Sequence, residues 1–420
     1  MKAIIVGGGI SGLTMAMSLH QIGVDVRVYE AAREVTPLGV GINVQPNAVR
    51  ELTELGLGAR LAEIGIATEA LAFFNKFGQP VWREPRGRAA GFAWPQYSIH
   101  RGQLQVMLAR AARERIGDAL RTGHVFQTFS EGGDKVIARF VDRDGVAIAE
   151  EEADILIGAD GIHSAVRRQF YPDEGEPNFA GQILWRAAVE TTPFLGGATM
   201  IIAGHFHRRI VAYPIAPGAK GKLLTNWIAQ MTVDTKAPPR EDWNRRVDKE
   251  RFLDAFRDWR FDWLDFPRLV EETAEIFEFP LVDRHPVERW SFSRVTLIGD
   301  AAHPMQPTGS QAGSQAIVDA RLLTAALLAE RDPVAALAAY DRQRRPVMND
   351  ITLRNRNFGP EAAMQLAEER APNGFTQIED VIPRAELEHI SRSFQQAAGL
   401  DPAGLNARQP LVAPGAHYPA

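Results

Sequence analysis

The sequence predicts an α/β fold: a domain built on a parallel sheet with helices, interrupted by a domain with a mostly antiparallel β-sheet, and followed by a C-terminal helical segment. The chain opens with an apolar strand, a glycine turn and a helix, and it returns to the same order near residue 295. Between these stretches, strand-like runs follow one another almost without helices, which is typical of an antiparallel sheet. We therefore predict a discontinuous first domain over 1–174 and 291–355, a sheet domain over 175–290, and a helix and tail over 356–420.

The opening stretch has the pattern of a dinucleotide-binding turn. An apolar strand over residues 3–6 leads into Gly7, Gly9 and Gly12, which fit G-x-G-x-x-G, and a second strand ends at Glu30. The first glycine permits the tight turn, the second lets backbone approach a pyrophosphate, and the third lets helix and strand pack closely. The helix N-terminus attracts the diphosphate, and the acid accepts a hydrogen bond from a ribose hydroxyl. The stretch therefore predicts a bound dinucleotide.

The composition excludes several other classes of protein. The chain has 420 residues, of which 45% are hydrophobic and 24% charged, and its net charge of −5 argues against a general binder of nucleic acid or anionic membranes. It contains no cysteine, which excludes disulfides, thiolate metal sites, iron–sulfur clusters and dithiol redox chemistry. No apolar run reaches the roughly 18 residues that a membrane span needs. We therefore expect a cytoplasmic protein without a membrane span.

Further elements are predicted in order along the chain. In the first domain we expect a loop or bulged strand over 38–44, a helix from Pro46, a strand hairpin over 68–83, an extended segment and a helix around Arg101, an antiparallel meander over 119–152, a strand over 155–157 and a helix from Ser164 to Phe170. In the second we expect strands over 183–189, 199–203, 210–215, 223–231 and 276–281, with one helix over 241–259. The basic run from Arg342 to Arg345 is interpreted as the solvated face of a helix.

Three turn motifs, far apart in the sequence, each follow an apolar strand: GGGISG at 7–12, GADG at 158–161 and IGDAAHP at 298–304. With these motifs, the chain resembles the single-component FAD-dependent aromatic hydroxylases of the para-hydroxybenzoate hydroxylase fold over about residues 1–355. Within that family it is most similar to the phenazine-modifying flavin monooxygenases, through PLGVGINVQPNAV, PQYSIHRGQLQ and GADGIHSAVR. The resemblance implies that the first domain is an FAD-binding, Rossmann-like domain of the glutathione-reductase type.

The resemblance also implies which residues contact FAD. From its position alone, Arg101 is equally a surface charge or a diphosphate contact. The resemblance implies that Arg101 contacts the ribityl-diphosphate region and that Asp300 binds the ribityl hydroxyls. The Asp-Gly pair of GADG, with Arg167, would take part in binding both FAD and NAD(P)H. At 310–314 the chain reads Ser-Gln-Ala-Gly-Ser, whereas the family often has Gly-Gln-Gly-x-Asn, which leaves the contacts to the pyrimidine end of the flavin open. The full set is Gly7, Gly9, Ile10, Ser11, Gly12, Glu30, Ala31, Gly41, Val44, Arg101, Val125, Asp160, Gly161, Arg167, Asp300, Pro307, Gly309, Gly313 and Ser314.

The activity that the resemblance implies needs little from side chains. NADH or NADPH would reduce non-covalently bound FAD, O2 would add at flavin C4a, and the hydroperoxide would give one oxygen to an aromatic or heteroaromatic small molecule. The protein would supply orientation, exclusion of water and electrostatics. Because the sequence has one dinucleotide fingerprint, we expect NAD(P)H to dock transiently rather than in a Rossmann domain of its own. A homodimer is left open.

Aromatic and basic residues on three predicted strands are the candidate substrate contacts: Trp185 and Arg186, Tyr213 with Pro214, and Trp227 with Asn226. Each aromatic side chain could equally belong to the core of the sheet. Arg186 could meet a substrate carboxylate or be a surface charge. His205 and His207 share one strand face but have no acidic or thiol ligand at suitable spacing, so we predict no metal site.

Several other functions remain consistent with parts of the sequence. The same fold could serve an epoxidase or a flavin oxidase or dehydrogenase. The opening motif alone would also suit a nicotinamide-only dehydrogenase, but the stretch at 298–315 would then have no role. A flavin-binding module without activity is the third alternative. Nucleophile elbow, HExxH and P-loop motifs are absent from the sequence.

Overall fold

The computed structural model describes residues 1–235, 245–357, 361–397 and 399–419. Its strands are β1 Lys2–Val6, β2 Asp25–Glu30, β3 Gly41–Val44, β4 Gly65–Thr68, β5 Ala70–Phe74, β6 Pro80–Pro85, β7 Gln96–His100, β8 Leu120–Thr122, β9 Val125–Gly132, β10 Lys135–Val141, β11 Ala147–Ala153, β12 Ile155–Gly158, β13 Asn178–Thr191, β14 Thr199–His205, β15 Arg208–Pro217, β16 Leu223–Thr232, β17 Arg260–Phe261, β18 Leu264–Asp265, β19 Phe277–Asp283, β20 Ser291–Phe292 and β21 Val295–Leu297. Its α-helices are α1 Ile10–Gln21, α2 Pro46–Glu54, α3 Gly58–Ile64, α4 Arg101–Ile116, α5 Ala165–Phe170, α6 Phe266–Glu271, α7 Ala312–Ala329, α8 Pro333–Arg356, α9 Ala362–Arg370, α10 Arg384–Ala397 and α11 Pro402–Ala407.

A six-stranded sheet in the order β20-β21-β12-β1-β2-β8 forms the centre of the first part of the chain. All neighbours in it are parallel except β20 and β21. Its middle strands are almost fully buried, as continuous apolar runs in a parallel sheet require, and α1, α4 and α7 pack together around them. Because parallel strands end at the same edge, the three glycine-rich turns that follow β1, β12 and β21 come together there. The mixed α/β fold is confirmed.

The second large sheet has seven strands in the order β19-β13-β16-β15-β14-β5-β6. Its pairs are antiparallel, as expected, except β14 with β5. The predicted hairpin near residue 70 therefore joins this sheet instead of standing apart, so the sheet draws on residues outside 175–290. The placement of domain boundaries at 174 and 290 stays a prediction.

The described residues also form two three-stranded sheets and a short pair of β17 with β18. Strands β9, β10 and β11 form the antiparallel meander, whereas β8, at the start of the predicted meander, pairs in parallel with β2. Strands β3, β7 and β4 form a three-stranded sheet that carries Gly41.

The helix predicted over 241–259 is not formed in its described part. Residues 241–244 lie outside the described residues, and the rest contains only short 3₁₀ turns at Lys249–Arg251 and Leu253–Phe256. Phe252, Phe256 and Trp259 are all buried beneath the seven-stranded sheet, and Phe252 stacks on Trp185 with ring centroids 4.7 Å apart. Burial of these large rings outweighs the weak helix propensity of the segment.

The C-terminal segment, residues 361–397 and 399–419, contains three helices rather than the one predicted. It contacts both large parts of the molecule: α9 packs on β14 and β6, and Arg50 of α2 donates to the carbonyl oxygens of Leu405 and Arg408, each at 2.6 Å. Within the part of the chain that is described, none of the helices combines the length and apolar character that crossing a membrane requires.

Candidate active site

The glycine turn after β1 is shaped by close backbone approach. A β-carbon on Gly7, whose φ is +106°, would lie 2.4 Å from the carbonyl oxygen of Ala159, and one on Gly12 would lie 2.0 Å from that of Gly7. Gly9 differs, because a β-carbon there would meet nothing within 4 Å. Gly9 is also the N-cap of α1 and has no side chain to cap it. The first N–H groups of α1 therefore point toward open space, which is the arrangement that binds a diphosphate.

Glu30 lies at the end of β2, beside this turn. Its carboxylate accepts hydrogen bonds from the backbone N–H groups of Gly8 at 2.6 Å and Ala32 at 2.7 Å. The backbone N–H of His124 donates to the Glu30 carbonyl at 2.9 Å, so Val125 at the start of β9 stays next to it. Glu30, Ala31 and Val125 therefore lie together, as expected for the rim of an adenosine site.

Asp160 and Arg167 lie outside the cavity lining, and Arg167 joins two of the motifs to each other. Asp160 accepts from Ser164 Oγ at 2.5 Å and from the N–H of Ala165 at 2.7 Å, at the start of α5. Arg167 pairs with Glu174 and donates to the carbonyl oxygen of Ala302 at 2.8 Å. Asp160 thus fixes the start of α5, and Arg167 of α5 holds it against IGDAAHP. Of the two predicted residues in the GADG turn, only Gly161 lines the cavity described next.

A cavity of about 310 Å³ lies where the glycine-rich turns meet one face of the seven-stranded sheet. The predicted residues that line it are Gly9, Ile10, Ser11, Gly41, Arg101, Gly161, Arg186, Tyr213, Asp300, Pro307, Gly309 and Gly313. The predicted residues outside its lining are Gly7, Gly12, Glu30, Ala31, Val44, Val125, Asp160, Arg167, Trp185, Trp227 and Ser314. Of these, Ser314 accepts from the N–H of Gln45 at 2.9 Å, and Val44 lies in the core. The contact of each residue with a ligand stays a prediction.

Asp300 follows β21 and faces the cavity. Burial raises the pKa of its carboxyl, while the charges of His303 and Arg101 lower it. The loop that carries Asp300 is fixed by Asp319 of α7, which accepts from the N–H of Gly299 at 2.9 Å, from His303 Nε2 at 2.5 Å and from Arg344 Nε at 2.7 Å. Asp319 was not found from the sequence. The interpretation of Arg342 to Arg345 as a solvated face is wrong for Arg344, which is buried because it neutralises Asp319.

Gly41 joins strand β3 to the seven-stranded sheet at the edge of the cavity. Its N–H donates to Asn226 Oδ1 at 2.8 Å, and its carbonyl accepts from Arg186 Nη2 at 2.9 Å. A β-carbon at this position would lie 2.7 Å from atoms of both Asn226 and Tyr213. Strand β3 is therefore held against the seven-stranded sheet by contacts that only glycine permits.

The two tryptophans predicted as substrate contacts face away from the cavity. Trp185 donates to Glu278 at 2.9 Å and Trp227 to Thr273 at 3.0 Å, and both indoles belong to the core on the other face of the sheet. Successive side chains of a strand point to opposite faces, so the neighbour Arg186 lines the cavity and Trp185 does not. The same alternation, applied from Arg186 and Tyr213, points to lining residues that were not predicted: Leu184, Val211 and Arg209.

These residues fit FAD. The site offers an uncapped helix N-terminus with open space at Gly9, and the carboxylate of Glu30 lies beside that turn. A second carboxylate, Asp300, lines the same cavity as Gly9 and Gly309. The chain would hold the diphosphate with backbone N–H groups and the ribityl hydroxyls with Asp300.

Comparison with known proteins agrees with this geometry. The FAD binding domain family matches residues 1–355. The chain belongs to this family. It is 43% identical over 361 residues to a phenazine 1,6-dicarboxylic acid hydroxylase of Lysobacter antibioticus, covering 84% of this chain and 89% of that one. It is 30% identical over 369 residues to a 3-hydroxybenzoate 6-hydroxylase of Klebsiella oxytoca, covering 86% and 88%.

Solved structures give the same result. A variant of HpxO from Klebsiella pneumoniae, complexed with FAD, matches with a TM-score of 0.74 at 25% identity, covering 96% of this chain and all of that one. A salicylate hydroxylase in complex with its substrate matches with a TM-score of 0.71 at 22% identity and 95% coverage of this chain, 97% of that one, and so supports the fold alone. The protein is an FAD-dependent aromatic hydroxylase, with NAD(P)H as the reductant. A nicotinamide-only dehydrogenase is thereby excluded.

Proposed function

We propose that the protein hydroxylates a fused aromatic ring system that carries a carboxylate, and that a phenazine carboxylic acid is its substrate. The proposal depends on one observation, the lack of a counter-charge for Arg186 among the described residues. Its Nε is buried and has no hydrogen-bond partner, and no carboxylate of the described residues pairs with its guanidinium. A partly buried cation without a counter-charge is costly, and an anionic substrate group would remove that cost.

Tyr213 adds to this anionic site. Burial raises the pKa of its hydroxyl to about 12, so the group stays protonated and can donate a hydrogen bond. Burial lowers the pKa of Arg186, whereas interaction with Tyr213 raises it. A guanidinium and a neutral phenol side by side suit one carboxylate, the first as a charged donor and the second as a neutral one.

The rest of the sheet face offers an apolar surface for rings. Leu184, Ile202, Val211 and Ile228 line the cavity from four neighbouring strands. Arg209, paired with Glu361, lies on the same face of β15 as Tyr213, four residues away, or about 13 Å at the rise of a strand. We call the surface formed by Leu184, Ile202, Val211 and Ile228 the apolar floor. A distance of about 13 Å between Arg209 and Tyr213 suits a system of several rings better than a single ring. The similarity to a phenazine 1,6-dicarboxylic acid hydroxylase supports the same substrate class.

The chain's own part in the reaction is binding, orientation and exclusion of water. FAD, when bound, supplies reduction by NADH or NADPH and the activation of O2. Arg186 and Tyr213 orient the ring through its carboxylate, and the apolar floor keeps water from the reacting carbon. Backbone N–H groups at the start of α7, near Gly313, favour negative charge at the adjoining loop.

The test is a comparison of Arg186→Gln with the exposed control Arg139→Gln in the FAD-loaded enzyme. Phenazine-1,6-dicarboxylic acid should stimulate NAD(P)H consumption and incorporate one atom of ¹⁸O from ¹⁸O₂ into the product. Arg186→Gln should raise KM for the acid about 10- to 100-fold, because a charged hydrogen bond is lost, while Arg139→Gln should not. Stimulation by uncharged phenazine equal to that by the acid, or an unchanged KM in Arg186→Gln, would refute the proposal.

The remaining expectations belong to the same proposal. O2 is the second substrate, and either NADH or NADPH serves as the reductant. A homodimer stays open. A protein without cysteine that consumes NAD(P)H is suited to the cytoplasm.

A further inference from the structure

A second cavity lies beside the active-site cavity, where α10 packs against the end of β6. Its volume is about 360 Å³. Gln45, Arg86 and Gln96 line both cavities. These three side chains therefore form the wall between them.

The shared wall carries polar atoms without partners. Arg86 Nε, Gln45 Oε1 and Gln96 Oε1 are buried and make no hydrogen bond to the described residues. Gln45 and Gln96 are each 2% exposed and Arg86 is 8% exposed. Since buried polar atoms in folded proteins nearly always have a partner, one donor and two acceptors left open at one wall indicate a ligand that offers both kinds of group.

Arg86 is held in a way that leaves Nε available. Its Nη2 pairs with Glu84, and Glu84 accepts from Ser391 Oγ and from Gln395 Nε2, the second at 3.2 Å. Both donors lie on α10. Helix α10 therefore fixes the guanidinium of Arg86 through Glu84, and Nε of Arg86 keeps no partner among the described residues.

The remaining lining of the second cavity suits a flat anion. Trp82, Phe92 and Leu400 provide apolar surface, and the exposed side chains of Arg83 and Arg384 also line it. Aromatic and aliphatic walls with arginines nearby bind aromatic carboxylates in the same way as the active-site cavity.

We propose that the second cavity is a binding site for the hydroxylated product, separated from the active-site cavity by the wall of Gln45, Arg86 and Gln96. The inference rests on the proposed function. A substrate carboxylate offers only acceptors, so it can pair with Arg86 Nε but not with the two amide oxygens. The product has one new O–H, which donates to an amide oxygen while its carboxylate accepts from Arg86. The wall therefore distinguishes product from substrate by the group that the reaction adds.

The test uses 6-hydroxy-2-naphthoate and 2-naphthoate, fused-ring acids that differ by one hydroxyl, which lies too far from the carboxylate for an internal hydrogen bond. Calorimetric titration of the FAD-loaded enzyme should show a second binding equivalent for the hydroxy acid, about tenfold tighter there than for the plain acid. Ala90 lines only the second cavity, so Ala90→Trp should abolish the second equivalent and leave the first unchanged. Ala147→Trp, at an exposed alanine of β11, is the matched control and should keep both equivalents.

A single equivalent of the hydroxy acid in the unmodified enzyme, or a second one that Ala90→Trp leaves unchanged, would overturn the proposal. Equal affinity of the two acids at the second site would also overturn it. These binding results do not depend on turnover. Failure of aromatic acids to stimulate NAD(P)H consumption would instead count against the proposed function.

Discussion

Asp319 is a fully buried carboxylate that does not line the cavity but fixes the loop that carries Asp300. Burial by itself would raise its pKa, but the charges of His303 and Arg344 and the hydrogen bonds from both hold it at about 2. This value lies below the usual value of about 4 for an aspartate in an unfolded chain. The native state therefore binds this proton more weakly than the unfolded state. Asp319 stabilises the fold fully above about pH 4, and this contribution is lost as the pH falls toward 2.

We therefore expect Asp319→Asn to lower the free energy of unfolding by roughly 3–5 kcal/mol at pH 7, because Arg344 would keep a buried charge without its partner. The difference in free energy of unfolding between the unmodified protein and Asp319→Asn should shrink by about 2 kcal/mol as the pH falls from 4 to 2. Denaturant unfolding across this range measures both effects. Asp350→Asn, which removes an exposed ion pair with Arg354, is the control and should change stability by less than about 1 kcal/mol. A difference that stays constant between pH 4 and pH 2 would show that the fold does not hold the pKa of Asp319 below its value in the unfolded chain.

The same residue shows where prediction from the sequence ends. Asp300 could be predicted, because it follows an apolar strand within a motif of adjacent residues. Asp319 and Arg344 could not, because their contacts join residues 20 and 25 positions apart, across two helices. Trp185 and Arg186 are adjacent and were predicted together, yet alternation along the strand allows only one of them to face the cavity.

Among the elements, β3 has the clearest consequence for function. Valine at position 41 would bring side-chain atoms into Asn226 and Tyr213, which moves β3 away from the seven-stranded sheet and breaks the contact with Arg186. Gly41→Val should therefore slow substrate-stimulated reduction of FAD on the order of 10- to 100-fold, because small displacements at a reacting centre have effects of this size. FAD binding should change little.

Stopped-flow reduction of the fully FAD-loaded variant measures this effect. Gly132→Val is the matched control, since a β-carbon there meets nothing within 4 Å. Reduction of Gly41→Val at the unmodified rate would show that β3 has a structural role only.

Prediction of elements succeeded where local pattern and tertiary packing agree. The opening strand, glycine turn and helix were predicted because each has its own periodicity and turn residues. The segment over 241–259 was predicted as a helix that interrupts the strands, but Phe252, Phe256 and Trp259 are buried in the core beneath the sheet. Sequence periodicity does not report which sheet will cover a side chain, so such a segment cannot be assigned from the sequence alone.

At the scale of the whole molecule, the C-terminal segment connects parts that lie far apart in the sequence. Through α10 it contacts Glu84 of the seven-stranded sheet, and beyond α10 the N–H of Tyr418 donates to the carbonyl of Ile22 at 2.8 Å. Its weak periodicity and high content of proline and glycine suggested a peripheral tail. Its contacts with Arg50 and with Ile22 are made through backbone groups, which carry no signature in the sequence.

Removal of residues 401–420 should therefore destabilise the protein well beyond the loss of a tail. Arg50, which is 3% exposed, would lose both carbonyl acceptors, and Glu51 would lose its ion pair with Arg408. Arg50 keeps its ion pair with Glu54, and Glu51 keeps its ion pair with Arg321. We therefore expect the free energy of unfolding to fall by about 2–4 kcal/mol, which is the size of the loss from a few hydrogen bonds to charged groups. Arg50→Met should destabilise the full-length chain but have a much smaller effect in the truncated one, because the acceptors are already gone there. Equilibrium unfolding of the four proteins measures the coupling directly. Additive effects of the two changes would mean that the segment stabilises the fold by apolar burial at Leu405 and not through Arg50.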